Sequence, residues 1–288
     1  MNKIAVVTDS NSGITQNQGK ELGIYVLPMP FTIDGHTFYE DIDLTQEQFY
    51  EKLSQGADIA TSQPAIDSLL GLWKQLLKEY DQIIHIPMSS GLSGSCATAM
   101  AMAQDFQGKV YVVDNQRISV TQRQSALDAL MLVRQGMDAE SIREKLLQNA
   151  RESTIYITLD TLKYLKKGGR ITPAAAALGT ILKIKPVLQI QGEKLDAYAK
   201  ARTVKQAKTI MVDAIKNDIA QRFGGDASPE NVWLAVAHTD NLENAQIFRE
   251  ELLEEFPGHN IYVDHLSLSV SCHIGPGALA VTCTKKMR

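Results

Sequence analysis

Ile83-Ile84-His85-Ile86-Pro87-Met88-Ser89-Ser90-Gly91-Leu92-Ser93-Gly94-Ser95 is the stretch from which the fold can be read. Its apolar first half has the length and composition of a short buried strand. The small-residue segment after it, Cys96 to Ala103, favours helix. The order is therefore strand, hydroxyl-and-glycine turn, helix N-terminus. A helix's first turn leaves backbone N–H groups without partners and carries partial positive charge. Glycines let a ligand approach the backbone, and serines add donors of their own. Such a turn suits a phosphate or a carboxylate. It also suits a plain N-cap flanked by loop serines, and the loop alone does not choose.

Outward from this stretch the pattern repeats. Ile4 to Thr8 reads as a strand ending in Asp9-Ser10-Asn11-Ser12-Gly13, followed by a helix from about Thr15 to Leu22. A second strand, Ile24 to Pro28, leads to Phe31-Thr32-Ile33 and His36-Thr37-Phe38-Tyr39. Asp34-Gly35 between them is a hairpin signal. Thr45 is the expected N-cap of a helix running to Leu53. The loop Asp58-Ile59-Ala60-Thr61-Ser62-Gln63-Pro64 is rich in hydroxyls. Pro64 is placed at the first position of an amphipathic helix reaching Tyr80. Strand 110–113 ends at Asp114-Asn115, and helices over 118–135 and 138–150 follow. Strands alternating with helices predict a parallel sheet covered on both faces. A domain boundary is expected near residue 152.

Beyond it the reading is strand 154–158, a helix to Leu165 closed by Gly168-Gly169, and an alanine-rich helix from Thr172-Pro173 to Leu178. An antiparallel pair over 185–190 and 194–198 comes next. Helix 203–222, strand 232–237, helix 241–255 and strand 260–264 lead to a last strand after Gly275-Pro276-Gly277.

Composition narrows the function. The 288 residues are 44% apolar and 22% charged, with a net charge of −4, which argues against a nucleic-acid footprint. No apolar run reaches the roughly 18 residues of a membrane span. The chain opens straight into a strand, and its three cysteines lack metal-ligand spacing, so a reduced cytoplasmic setting is expected. Gly91-Leu92-Ser93-Gly94-Ser95 differs from the G-x-S-x-G of a serine hydrolase, although a Ser93-dependent lipid esterase is kept as an alternative. Gly275-Pro276-Gly277-Ala278-Leu279-Ala280 fits G-x-G-x-x-A formally but opens no helix, and the phosphate-binding G-x-x-x-x-G-K-[ST] does not occur. Neither a metal nor a cofactor is expected.

What remains is a set of polar loops. Asp9-Ser10, Thr61-Ser62, Ser90 to Ser95 and Asp114 all fall at expected strand ends, where an open α/β sheet gathers its ligand contacts. These loops carry no lysine or arginine, so they suit a single carboxylate better than a polyphosphate. His273, before the glycine-proline-glycine turn, and Arg170 and Arg202, at loop or strand ends, are further candidates. Binding, rather than catalysis, is the expectation.

Seven segments in order then show a resemblance. Val7-Thr8-Asp9-Ser10, Thr61-Ser62-Gln63-Pro64, Ser89-Ser90-Gly91-Leu92-Ser93-Gly94 and Leu165-Lys166-Lys167-Gly168-Gly169-Arg170-Ile171 resemble motifs of the DegV family. So do Lys200-Ala201-Arg202-Thr203, His238-Thr239-Asp240 and Gly275-Pro276-Gly277-Ala278-Leu279. Three local departures stand out. Ser95 replaces the family's usual Thr, Ala65 its usual Ser, and Ala280 its usual Gly.

The resemblance implies a two-domain α/β protein that binds a long-chain fatty acid in a tunnel between its domains. Residues 1–152 would form the N-terminal parallel-sheet domain with the carboxylate-binding loops. Residues 153–288 would form a C-terminal α/β domain with a mixed sheet. Thr61 and Ser93 would hydrogen-bond the carboxylate, Ser62 and His273 would join the same network, and Arg170 would lie near the head group. Phe31, Ile33, the Ala174–Leu178 helix and Ile181-Leu182 are candidates for the acyl tunnel. The resemblance also implies an ATP-dependent fatty acid kinase catalytic subunit as partner, met through Arg202, and transient contact with a membrane surface. A lipid sensor without a kinase partner is the third reading.

Overall fold

The computed structural model describes residues 2–178 and 184–287. The expected Ile181-Leu182 part of the tunnel lies outside these residues. The chain divides into two compact units, Met1–Arg151 and Glu152–Arg288.

The first unit runs β1 (Ile4–Asp9), α1 (Gln16–Leu22), β2 (Ile24–Leu27), β3 (Pro30–Ile33), β4 (His36–Tyr39), α2 (Gln46–Ser54), β5 (Ile59–Thr61), α3 (Ile66–Leu76), β6 (Gln82–Ile86), α4 (Ser95–Ala103), β7 (Val110–Val112), α5 (Val120–Arg134) and α6 (Ala139–Gln148). Four strands form a parallel sheet in the order β2-β1-β6-β7. Val7 lies opposite Tyr25 on one side and His85 on the other. Side chains alternate across such a sheet. Ala5, Val7 and Ile83 pack with Leu69, Trp73, Cys96 and Ala99 of α3 and α4. The opposite face meets α5 and α6. Both faces are thus covered, which is why these strands read as continuous apolar runs.

A small antiparallel sheet, β4-β3-β5, stands apart from the parallel one. Asp34 and Gly35 both have positive φ, 49° and 81°, as a two-residue hairpin turn requires. Phe31 is fully buried there, edge-on to Phe49 of α2 and stacked on Phe38. Thr45 caps α2 in a reciprocal capping box with Gln48.

Two expectations need correction. Thr61 ends β5, which pairs with β3, so this hydroxyl does not lie at a strand end of the parallel sheet. A three-residue strand has too little periodicity to declare its partner. Pro64 is not the first helical residue either. The helix begins at Ile66 with Ala65 at the N-cap, and Ala65 has no side chain to accept from the first turn. That helix also stops at Leu76, short of Tyr80.

The second unit runs β8 (Ser153–Thr158), α7 (Lys163–Gly168), α8 (Pro173–Leu178), β9 (Lys185–Ile190), β10 (Asp196–Ala201), α9 (Val204–Arg222), β11 (Val232–His238), α10 (Leu242–Glu255), β12 (Tyr262–His265), α11 (Leu268–Ile274) and β13 (Leu279–Lys285). Its six strands form one mixed sheet, β10-β9-β8-β13-β11-β12, antiparallel except for the β11–β12 pair. Val232, Leu234 and Val236 alternate onto a core with Met211, Ile215 and Phe248 of the covering helices. Gly169 closes α7 in the left-handed region, its N–H bonded to the Leu165 carbonyl, as the glycine pair predicts. Helix α11 was not expected. It places His273 in its last turn.

Candidate functional site

In the first unit the polar loops at the carboxyl edge of the parallel sheet are held by backbone bonds. Ser89 accepts through its carbonyl from the N–H groups of Leu92 and Ser93, and its Oγ accepts from Gly91. Ser93 Oγ accepts from the Ser95 backbone N–H at 3.2 Å, which fixes the serine at the entrance to α4. Ser90 N–H is anchored on Asp114 at 3.3 Å. Behind them, the carboxylate of Asp9 accepts from the backbone of Asn11 (3.0 Å) and Met88 (2.7 Å) and from Gln122 Nε2 (3.1 Å). Burial pushes the Asp9 carboxyl up to about 6 against these hydrogen bonds. Cys96, in the first turn of α4, is pushed up to about 12 by burial and by the nearby Asp114 and Asp9, so its thiol is protonated and unreactive at neutral pH.

The β7–α5 loop braces this edge, which its sequence did not announce. Arg117 is buried and reaches Ser125 and both the carbonyl and side chain of Asn149. Its carbonyl accepts from Ser89 N–H, and Ser119 N–H donates to the Asn11 carbonyl. Gln116 and Ser119 flank it, each at φ 57°, a region that non-glycine residues seldom adopt. Backbone strain of this kind persists where surrounding structure over-determines a site.

The Thr61–Ser62 loop comes close to Ser93 through its neighbour. Gln63 Oε1 accepts from Thr98 Oγ1 of α4 at 3.0 Å, and a Cβ added at Gly94 would lie 3.6 Å from the same oxygen. Thr61 and Ser93 are half-buried and Ser62 is exposed. This edge therefore offers neutral donors, with the carboxylates of Asp9 and Asp114 beside them each already accepting hydrogen bonds.

In the second unit Arg170 and His273 lie together. The Gly168 carbonyl accepts from Arg170 Nη1. A Cβ on Gly168 would sit 2.0 Å from His273 Nδ1, so the imidazole rests directly on this glycine. Burial, helped by Arg170, lowers His273 to about 4 and keeps it neutral. The glycine-proline-glycine turn packs as closely. Gly275 lies against the Tyr164 ring and Gly277 against the Asp160 carboxylate, both at positive φ. Arg202 is exposed just after β10, its backbone N–H bonded to Gln206. Among the described residues no three His, Cys, Asp or Glu side chains are grouped to hold a metal ion, and no helix is long and apolar enough to cross a membrane.

A family model described as "Uncharacterised protein, DegV family" matches residues 3–286. The chain belongs to the DegV family. Protein DegV of Bacillus subtilis is 31% identical over 283 residues, covering 96% of this chain and 98% of the relative. The chain is also similar to a solved Thermus thermophilus DegV-family structure described as showing fatty acid binding. There the TM-score is 0.89 at 28% identity, over 99% of this chain and all of the other. The crystal structure of the Bacillus subtilis DegV, described as a fatty acid binding protein, gives a TM-score of 0.87 at 30% identity over the same shares. The parallel sheet of the first unit and the mixed sheet of the second are the architecture of this DegV fold.

Proposed function

We infer that this chain binds a long-chain fatty acid and does not itself perform chemistry on it. The observation carrying the reading is the cluster of neutral hydroxyls at the sheet edge, in a chain that shares its whole fold with fatty-acid-binding relatives. Thr61 and Ser93 donate to the carboxylate, with Ser62 beside them. The second unit's Arg170 and His273 are proposed as head-group residues on the family resemblance. Burying about fourteen methylenes is worth roughly 11 kcal/mol gross, at about 0.8 kcal/mol each. Association and ordering costs remove much of this. A hydrogen bond to a charged carboxylate nets about 1.5–3 kcal/mol. The tail therefore supplies most of the affinity, and the hydroxyls set the direction of the head group.

The finer role is presentation. The carboxylate is held for an ATP-dependent kinase subunit that converts it to acyl phosphate, Arg202 is a contact of that subunit, and the setting is cytoplasmic. The exposure of Arg202 suits a docking residue. The test is Thr61→Ala with Ser93→Ala. The double variant is expected to lower fatty-acid affinity or to lose phosphorylation by a cognate kinase subunit. Unchanged binding together with unchanged phosphorylation overturns the site.

A further inference from the structure

Alternation along β6 turns His85 toward α3 and α4, where its ring meets Trp73 edge-on at 5.6 Å. A small, partly open cavity with room for about one water molecule or one hydroxyl lies beside it, lined in part by Asp9, Gln63, His85, Ser95 and Thr98. Met29 and Leu69 contribute apolar wall. Three of the polar groups are served from within the unit. Asp9 has its backbone and Gln122 donors, and Gln63 and Thr98 bond each other. Two are not. His85 is 1% exposed and Ser95 8%, yet neither imidazole nitrogen of His85 nor the Ser95 hydroxyl has a hydrogen-bond partner.

Buried polar groups are ordinarily paired, because an unpaired one loses its water without replacement. Burial lowers His85 to about 3, so the ring is neutral and presents one donor and one acceptor. A ligand hydroxyl, itself both donor and acceptor, can serve one ring nitrogen of His85 together with the Ser95 hydroxyl that lines the same cavity. Position fixes where on a ligand such an oxygen sits. Gln63 follows Ser62 directly, and the Ser95 N–H bonds Ser93 Oγ. The cavity is therefore next to the hydroxyls assigned to the carboxylate.

We propose that this cavity is a subsite for a hydroxyl carried near the carboxylate, so that the protein selects a 3-hydroxy fatty acid over the unsubstituted acid of equal length. The inference rests on the fatty-acid reading above. A site built to hydrogen-bond a hydroxyl discriminates strongly against the analogue lacking it, because the buried partners are then left bare.

The experiment compares binding of 3-hydroxypalmitate and palmitate to the delipidated full chain by calorimetry. The expected result is at least tenfold tighter binding of the hydroxy acid, with the ratio falling towards one in Ser95→Ala and in His85→Phe. Should His85→Phe fail to fold, the ¹⁵N shifts of His85 in the wild-type chain supply the second readout. They move with 3-hydroxypalmitate and stay in place with palmitate. Equal affinities in the wild-type chain overturn the subsite and assign the cavity to ordered water, while fatty-acid binding stands. If neither acid binds, the fatty-acid reading itself fails, and the subsite with it.

Discussion

The imidazole of His273 lies on Gly168 so closely that a single methyl would reach to 2.0 Å from its Nδ1 and 2.8 Å from its Cε1. The glycine in the Lys-Lys-Gly-Gly-Arg run is thus required by contact, independently of the chain reversal that Gly169 performs at φ 69°. Gly168→Ala must push the ring or α7 aside and is expected to cost about 1–3 kcal/mol, in the range of overpacked sites. In His273→Ala the obstacle is gone, so the same glycine substitution becomes nearly neutral. Urea unfolding of the two single variants and the double variant reads this coupling. Additive effects would remove the contact from the account.

Ala65 is the N-cap of α3 and leaves its first-turn N–H groups without a side-chain acceptor. Ala65→Ser supplies one and should stabilise the first unit by about 0.5–2 kcal/mol. A shift of the urea midpoint with unchanged slope is the expected record. No gain would mean that the 61–65 loop does not let a cap form.

The two units should respond differently to acid. His238 and His273 both sit near 4 in the folded second unit, lowered from an ordinary 6.5 mainly by burial. Between those values the unfolded chain binds more protons, so stability is lost as pH falls from about 6.5 towards 4. Each proton changes stability by up to ~1.4 kcal/mol per pH unit, and by less for half-buried His273, which solvent screens. In the first unit His85, lowered to about 3, acts in the same direction. Asp9 opposes it. Its folded value near 6 exceeds the ordinary 3.8, so the folded state binds the extra proton and gains stability as pH falls through that window. These terms largely cancel in the first unit and add in the second. The chain's two tryptophans, Trp73 and Trp233, fall one in each unit, so the single-tryptophan variants Trp233→Phe and Trp73→Phe report the first and second unit in turn by fluorescence. Parallel loss of both signals between pH 6.5 and 4 would contradict the assignment.

Local signals carried much of the fold. Asp34-Gly35 declared its hairpin because both residues must take positive φ, and Thr45 declared its helix through a capping hydroxyl. Long-range placement was less legible. Ile59–Thr61 is a strand only because it pairs with Phe31–Ile33, and nothing in three residues names that partner. Leu268-Ser269-Val270-Ser271-Cys272-His273-Ile274 mixes serines with a β-branched residue, which disguises α11 as loop. His85 is equally illegible in the sequence. A histidine inside an apolar strand looks like core until the cavity beside its unpaired nitrogens is seen. The serines around Ser93 were the opposite case, because hydroxyls and glycines between a strand and a helix state their chemistry locally.

Mass spectrometry of the intact chain under native conditions, followed by denaturing lipid extraction, tests the central claim most directly. The account predicts one C14–C18 fatty acid per chain, released on denaturation and regained when the delipidated protein meets free acid. A lipid-free mass that gains nothing on adding fatty acid would contradict it.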